Sequence, residues 1–258
     1  MSERDRSSKL FRLLQVQAGV SRRKAHELIA AGEVTVNGER VDDPFTVLDL
    51  DTAGKSVDVK LRGHPITLLP PEHHAYRFHK PAGMLCSHDD QFNGNTVGRV
   101  LRAEGFIGYT WAGRLDQDAE GLLVLSNCGD LINYLSHPKY EIPKQYVVWT
   151  TAHVPTSKAR KMALAMCSGV IEGGDALRAL ELTQSERGLF RIALAEGRKH
   201  EVKRLFSYFG ITVKRLQRVS MGPVQLGRLR AGAFERLLPD EERDLIESAL
   251  AAAGKSDS

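Results

Sequence analysis

The chain has 258 residues, with 36 Lys and Arg, 32 Asp and Glu, and a formal net charge of +4 at pH 7. A hydrophobic fraction of 42% and a charged fraction of 26% are ordinary globular values, which exclude a chain that is disordered throughout. The length exceeds one typical domain of about 100–150 residues, so we expect one small and one medium domain. The mild positive charge leans toward an anionic partner but does not identify it.

Cys86, Cys128 and Cys167 are odd in number and show no metal-ligand spacing, so neither a disulfide framework nor a zinc site is indicated. The first residues lack the apolar core of a signal peptide, and no segment approaches the roughly 18 consecutive apolar residues of a membrane helix. We therefore expect a reduced, cytoplasmic protein that is neither exported nor membrane-spanning. Residues 1–8 and 251–258 are small or polar, which predicts frayed ends.

The segment "KLFRLLQVQAGVSRRKAHELIAAGEVTVNGERV", which begins at Lys9, predicts two helices followed by a hairpin. Its apolar residues recur at helical spacing, and Ser21 can cap the second helix. Asn37-Gly38 lies between alternating apolar and polar residues, which is the strongest short hairpin signal. The two predicted apolar faces contain Leu10, Leu13 and Leu14, and Ala25, Leu28 and Ile29.

Arg22, Arg23 and Lys24 crowd the start of the second predicted helix, where the helix dipole disfavours cations. An anion such as an RNA or DNA phosphate would compensate them. A solvated basic turn explains the same residues equally well, because six bases meet six acids between Lys9 and Leu50.

The residues from Asp51 to Pro71 end in a proline pair and read as a linker, so we expect a domain boundary near residue 70. Short apolar runs then alternate with turn clusters and with candidate helices at 129–136, 157–168 and 200–209. This pattern predicts an α+β domain built on a mixed, mainly antiparallel sheet. The predicted domains span residues 9–70 and 71–245.

The stretch "HKPAGMLCSHDD" places Lys80 before a proline and a glycine, which could form a substrate-contact loop. From these residues alone a plain strand-to-turn transition is the favoured interpretation.

Residues 191–219 hold eight basic and two acidic side chains, a local excess greater than the net charge of the whole chain. Within the predicted helix, one side is apolar and the other offers His200, Lys203 and Arg204 to a polyanion. A solvated basic helix is the alternative. The eight cations are Arg191, Arg198, Lys199, Lys203, Arg204, Lys214, Arg215 and Arg218.

The stretch "AGRLDQDAEGLLVLSNCGD" places Asp116 after Arg114 and just before an apolar strand that would anchor it. Asp116 is therefore the best candidate for chemistry, although a turn with solvated aspartates is the alternative. Only Asp118 stands nearby as a second acid, which is a weak metal signal.

Two resemblances bear on these alternatives. Residues 9–55 resemble the RNA-binding module of ribosomal protein S-four, through "KLFRLL", "GVSRR" and "VTVNG". The motifs "HKPAGMLCS", "GRLDQDAEGLLVLS", "KQYVV" and "EGRKHEVKRLF", in this order over roughly residues 75–240, resemble the RsuA/RluB-type family of bacterial ribosomal-RNA pseudouridine synthases.

The second resemblance implies site-specific isomerisation of uridine in ribosomal RNA, without a metal or an organic cofactor. It implies Asp116 as the catalytic aspartate, Tyr146 as the aromatic that packs on the target base, and Lys203 as the basic partner of Asp116. By the same matching Asp118 is not catalytic, and the family often has Gln where Glu201 stands. The expected RNA-binding residues are Arg22, Arg23, Lys24, Lys80, Arg114, Arg198, His200 and Arg204.

Three questions stay open at this level. Asp116 could attack the sugar, attack the base or act as a base. The motifs "CSHDD" and "HEVKR" lie modestly closer to the branch that acts on small-subunit ribosomal RNA than to the large-subunit branches, and a non-catalytic RNA-binding assembly factor is a further alternative. The resemblance also implies a monomer. We expect structured ribosomal RNA in a pre-ribosomal particle as the partner, with free RNA as the alternative substrate.

Overall fold

The computed structural model describes residues 7–49, 57–66, 72–186 and 188–254 of the chain. The chain divides into two compact units. The N-terminal unit comprises Met1–His73 and Gly105–Gly108, and the C-terminal unit comprises His74–Glu104 and Tyr109–Ser258.

The N-terminal unit contains the predicted pair of helices and the predicted hairpin. A four-stranded antiparallel sheet has the order β3-β2-β5-β6, and β1 pairs separately with β4. The elements are β1 (Ser7–Lys9), α1 (Leu10–Gln17), α2 (Arg22–Ala30), β2 (Val34–Val36), β3 (Glu39–Arg40), β4 (Val47–Asp49), β5 (Val59–Leu61) and β6 (His64–Ile66).

Local sequence explains these elements. The Ser21 hydroxyl accepts the Lys24 N–H at 3.2 Å, so the predicted N-cap is confirmed. Asn37 and Gly38 have φ of 52° and 87°, as a type I′ turn between two strands requires. Both predicted apolar faces are buried, and most of their residues share one core with Val34, Leu48 and Val59.

Two expectations, one for the linker and one for the described parts of the chain ends, are wrong. The predicted linker contains β5 and β6, because Val59 and Leu61 pair with β2 and bury apolar surface that a linker would expose. Ser7 and Ser8 are not frayed but pair with β4, and the chain from Pro239 to Gly254 is one helix. Residues 1–6, 50–56, 67–71, 187 and 255–258 lie outside the described part of the chain.

The C-terminal unit is a mixed α+β structure, as predicted. Its helices are α3 (Val97–Ala103), α4 (Gly129–Ser136), α5 (Thr156–Ser168), α6 (Glu201–Tyr208) and α7 (Pro239–Gly254). Its strands are β7 (Ala75–Lys80), β8 (Thr110–Trp111), β9 (Glu120–Ser126), β10 (Lys144–Thr150), β11 (Val170–Glu172), β12 (Asp175–Leu177), β13 (Glu181–Glu186), β14 (Leu189–Leu194), β15 (Val213–Met221), β16 (Val224–Gln225) and β17 (Phe234–Arg236).

One large sheet organises this unit, with the order β13-β14-β10-β15-β9-β7-β17. Its pairs are antiparallel except β15 with β9, which run parallel. Helices α4 and α7 pack together beside the sheet, and their apolar residues share a core with Leu122 and Val124 of β9. The central strands are therefore rigidly supported.

The parallel pair is unusually close at Gly121. A Cβ on this residue would lie 2.2 Å from the carbonyl oxygen of Arg218 and 2.6 Å from its nitrogen. The same Arg218 pairs with Tyr146 on the other side, so Gly121, Arg218 and Tyr146 form one row across three strands.

No helix within the described ranges is both long enough and apolar enough to cross a membrane.

We predict that Gly121→Ala lowers the free energy of unfolding by about 3 kcal/mol, because the methyl group meets backbone atoms and φ is +112°. Gly227→Ala is the matched control: its φ is +62° and its Cβ would meet nothing within 4 Å, so its free energy of unfolding falls by only about 1–2 kcal/mol. Chemical denaturation of both variants measures the difference, and equal decreases would contradict the close approach of β9 and β15.

Candidate functional site

The Asp116 loop (residues 114–119) lies just before β9, and Lys80 holds its backbone in place. The Lys80 ammonium donates to the carbonyl oxygens of Ala119 at 2.6 Å and Pro81 at 2.8 Å. The Gly83 N–H donates to the carbonyl of Gln117 at 2.7 Å. The loop backbone is therefore fixed independently of the Asp116 side chain.

Two basic side chains face the Asp116 carboxylate, one at each oxygen. Lys203 Nζ lies 3.4 Å from Oδ2, and His200 Nε2 lies 3.4 Å from Oδ1. The carboxylate is about one-quarter exposed, so it is partly desolvated and still open to a ligand. Both basic groups come from α6 or the residue that precedes it, and α6 packs beside β15.

Lys203 has a second and closer carboxylate partner. Its Nζ donates to Asp118 Oδ1 at 2.6 Å, and this hydrogen bond holds the pKa of Asp118 below its usual value. Asp118 is thus part of the charge network rather than only of a supporting turn. The two residues are 85 positions apart, so no local pattern could have signalled the pair.

Tyr146 lies on β10 at the same site, with only 6% of its surface exposed. It lines a small pocket of about 50 Å³ together with Asp116 and His200. The other lining residues are Arg114, Leu115, Ala119, Leu194, Gly197, Arg198, Glu201, Val202 and Leu216. The structure therefore brings the three predicted catalytic residues, Asp116, Tyr146 and Lys203, into one region.

The turn that carries His200, here called the 195–200 turn, is held by two buried ionisable groups. Lys144 Nζ donates to the carbonyl of Ala195 at 3.1 Å, and the Arg198 N–H donates to Glu201 Oε2 at 2.9 Å. Burial raises the pKa of Glu201, whereas burial, with a contribution from Arg218, lowers the pKa of Lys144 to about 8. Lys144 could not be identified from the sequence, because no local sequence pattern shows that a lysine will be buried.

Two residues expected to contact RNA are instead committed to protein groups. Lys80 is fully buried, and burial lowers its pKa. Arg204 binds Glu172 at 2.5 Å and Asp175 at 2.7 Å, and so anchors the β11–β12 hairpin. The prediction that Lys80 contacts RNA is therefore corrected, because its side chain is fully buried and holds backbone. The prediction for Arg204, whose side chain is 23% exposed, stays a prediction.

Arg218 belongs to the basic cluster of the sequence but is only 2% exposed. Its Nε donates to the carbonyl of Leu122 at 2.8 Å, and within the described residues its Nη2 has no hydrogen-bond partner. Arg218 therefore supports β9 from the neighbouring strand rather than extending the basic surface.

The remaining predicted RNA-binding residues are accessible. Arg114 and Arg198 are exposed, the latter with its guanidinium on Glu196 at 2.7 Å. In the N-terminal unit, Arg23 and Lys24 both bind Glu27, and the guanidinium of Arg22 lies over the Phe11 ring at 4.9 Å. Glu27 thus supplies part of the negative charge that compensates the basic start of α2.

Comparison with known proteins gives consistent results. Residues 74–208 match the RNA pseudouridylate synthase family, and residues 12–50 match the S4 domain. An RNA pseudouridine synthase of Mycobacterium leprae is 32% identical, with 95% of this chain and 96% of the relative covered. One from Aquifex aeolicus is 34% identical over 90% of this chain and 91% of the relative.

A Vibrio cholerae protein named ribosomal large subunit pseudouridine synthase B is 32% identical, with 93% of this chain and 76% of that protein covered. A crystal structure of a pseudouridylate synthase is similar with a TM-score of 0.59 and 25% identity, covering 92% of this chain and 99% of that one. With its fold, its ordered motifs and the family match in agreement, the chain belongs to the RNA pseudouridine synthases and carries an S4 domain at its N-terminus.

Proposed function

We propose that the protein isomerises a uridine of ribosomal RNA with Asp116 as the catalytic residue, Tyr146 against the target base and Lys203 as the partner of Asp116. The observation that carries the proposal is a carboxylate between two basic groups at 3.4 Å, beside a buried tyrosine. The domains that we assign to this function are residues 9–70 for RNA binding and 71–245 for catalysis.

The reaction explains why such a carboxylate is useful. Isomerisation breaks the glycosidic bond from C1′ to N1, rotates the uracil and forms a bond from C1′ to C5, and the proton on C5 moves so that no atom is gained or lost. Lys203 and His200 each lie 3.4 Å from one oxygen of the Asp116 carboxylate, which fixes its position beside the pocket. An ionised Asp116 can attack the sugar, attack the base or accept a proton from the sugar.

The pocket also constrains how the target enters. At about 50 Å³ it is far smaller than the roughly 300–1,000 Å³ of typical ligand sites. A flipped nucleotide therefore fits only if side chains that line the pocket move. Arg114 and His200 are the accessible polar side chains that we expect to move. Stacking on Tyr146 and phosphate contacts by exposed cations would offset the cost of unstacking the base.

Ribosomal RNA is the proposed substrate, and the target uridine lies in either the large or the small ribosomal subunit. The name of the Vibrio cholerae relative favours a large-subunit target. The small-subunit target expected from "CSHDD" and "HEVKR" is the competing possibility. We further propose that the enzyme acts in the cytoplasm as a monomer, on structured RNA within a pre-ribosomal particle.

We predict that Asp116→Ala abolishes pseudouridine formation and leaves RNA affinity within about tenfold, because the carboxylate performs chemistry rather than holding RNA. Tritium release from RNA labelled at uridine C5 measures the reaction, and filter binding measures affinity. Asp118→Asn is the comparison variant: it removes one anchor of Lys203 and should keep turnover within about tenfold of the unmodified enzyme. Full activity of Asp116→Ala would sink the assignment.

The second prediction concerns the target. Deletion of the gene should remove one pseudouridine from large-subunit ribosomal RNA, and re-expression of the enzyme, but not of Asp116→Ala, should restore it. Reverse-transcription mapping of both ribosomal RNAs reads the outcome directly. Loss of a small-subunit pseudouridine instead would decide in favour of the competing branch, and no loss in either subunit would refute ribosomal RNA as substrate.

The third prediction concerns the N-terminal unit. Replacement of Arg22, Arg23 and Lys24 by Ala in the full-length chain should weaken binding to structured RNA. The slope of its salt dependence should fall by up to about 0.9 for each phosphate that is no longer neutralised. Arg243→Ala, which removes an exposed cation from α7, is the matched control. An unchanged salt slope for the triple variant would show that these cations do not meet RNA.

A further inference from the structure

A loop beside the Asp116 loop presents an aromatic ring to solvent. Phe92, in the Phe92 loop (residues 87–95), is 90% exposed, the largest exposed fraction among the large apolar residues of the described chain. Single apolar residues on a surface are ordinary. The surroundings of Phe92 therefore decide whether its exposure has a function.

The backbone of the Phe92 loop is braced by its own side chains. Asp90 Oδ1 accepts the N–H groups of Phe92 at 2.9 Å and Asn93 at 2.7 Å. Asn93 Oδ1 in turn accepts the N–H of Asn95 at 2.9 Å. These bonds brace the backbone around Phe92, so less backbone entropy is lost when the ring meets a ligand.

The start of the loop is packed against α3, and Asp89, one of the two carboxylates of the loop, is ion-paired there. The Gly98 N–H donates to the carbonyl of Ser87 at 3.0 Å, and Gly98 has no room for a Cβ, which would lie 2.2 Å from the carbonyl oxygen of His88. Asp89 binds Arg99 at 2.9 Å and also pairs with Arg102. Arg99 and Arg102 therefore offset the negative charge of Asp89.

The end of the loop is joined to the Asp116 loop by a short chain of hydrogen bonds. Asn95 Nδ2 donates to the carbonyl of Gly83 at 3.3 Å, and the Gly83 N–H donates to the carbonyl of Gln117 at 2.7 Å. Gln117 is the neighbour of Asp116 in the chain. Phe92 is three residues from Asn95, which limits their separation to roughly 10 Å.

We infer that Phe92 is a stacking platform for an unpaired nucleobase of the substrate RNA, a few nucleotides from the target uridine. A base has an apolar face that an aromatic ring covers, and stacking on an exposed ring tolerates any base. With the target uridine held at Asp116, we expect its neighbouring nucleotides to come within reach of the Phe92 loop, which is linked to the Asp116 loop through Gly83. The inference rests on the proposed active site, but it assigns a separate contact.

The choice of RNA over a protein partner follows from position and chemistry. The enzyme acts on RNA, and the Phe92 loop is linked through Gly83 to the loop that carries the proposed catalytic residue. A single ring on a rigid polar loop presents one apolar contact and not the extended apolar patch that a protein interface needs. Such a ring suits a single base in a bulge or loop of structured RNA.

The test compares side chains at position 92 in the full-length enzyme. Phe92→Leu keeps an apolar side chain and removes the aromatic face, Phe92→Ala removes both, and Phe92→Trp enlarges the face. The exposed residue Leu164 of α5 supplies the control Leu164→Ala. Total ribosomal RNA from cells that lack the enzyme, labelled at uridine C5, is the substrate, and tritium release yields kcat and KM.

We expect Phe92→Leu and Phe92→Ala to raise KM about tenfold with kcat changed less than about threefold, while Phe92→Trp and Leu164→Ala resemble the unmodified enzyme. An unchanged KM in Phe92→Ala would overturn the inference. So would a normal KM in Phe92→Leu with a raised KM in Phe92→Ala, since that result would show an apolar contact without stacking.

A second measurement identifies what the ring touches. A photoreactive phenylalanine analogue at position 92 of the Asp116→Ala variant should crosslink to nucleotides near the modified uridine, whereas the analogue at the exposed Ile171 should not. Crosslinks only to protein within the ribosomal particle would overturn the inference in favour of a protein contact. Because crosslinking needs no turnover, a failure here is distinguishable from activity in Asp116→Ala, which would instead overturn the proposed active site.

Discussion

The parallel contact between β9 and β15 is the constraint on which the site depends. The two strands are distant in the chain, and they meet where Gly121 lies against the backbone of Arg218. Only a residue without a side chain can occupy that place. The contact puts the Asp116 loop, which precedes β9, next to α6, which precedes β15, so Asp116 faces the basic groups of that helix.

Around this contact the protein uses buried cations to hold backbone rather than to pair with acids. Lys80, Lys144 and Arg218 are all nearly inaccessible, and each donates to carbonyl oxygens. A buried cation is costly unless its donors are satisfied. Carbonyl oxygens accept hydrogen bonds from these cations and so offset part of that cost. The same hydrogen bonds fix the loops that carry Asp116 and His200.

This arrangement divides the cations into buried and exposed ones. Lys80, Lys144 and Arg218 are buried and hold backbone, whereas Arg114, Arg198 and the basic start of α2 stay accessible. Basic residues in one sequence cluster therefore have different roles. Arg204 and Arg218 share the segment of Lys203, yet one anchors a hairpin and the other lies under a central strand.

The sequence by itself determined the features that depend on residues close together in the chain. These are the helix pair with its Ser21 cap, the hairpin at Asn37-Gly38, the helix at Gly129–Ser136 and the choice of Asp116 as the candidate catalytic residue. Spacing and turn chemistry act over a few residues, so they can be read from the chain. Tertiary structure alone decided that the expected linker holds β5 and β6, that Lys80 is buried, and that Lys203 lies closer to Asp118 than to Asp116. Burial and ion pairing depend on which segments, distant in the chain, come into contact. In this protein the close packing of β9 against β15 determines those contacts.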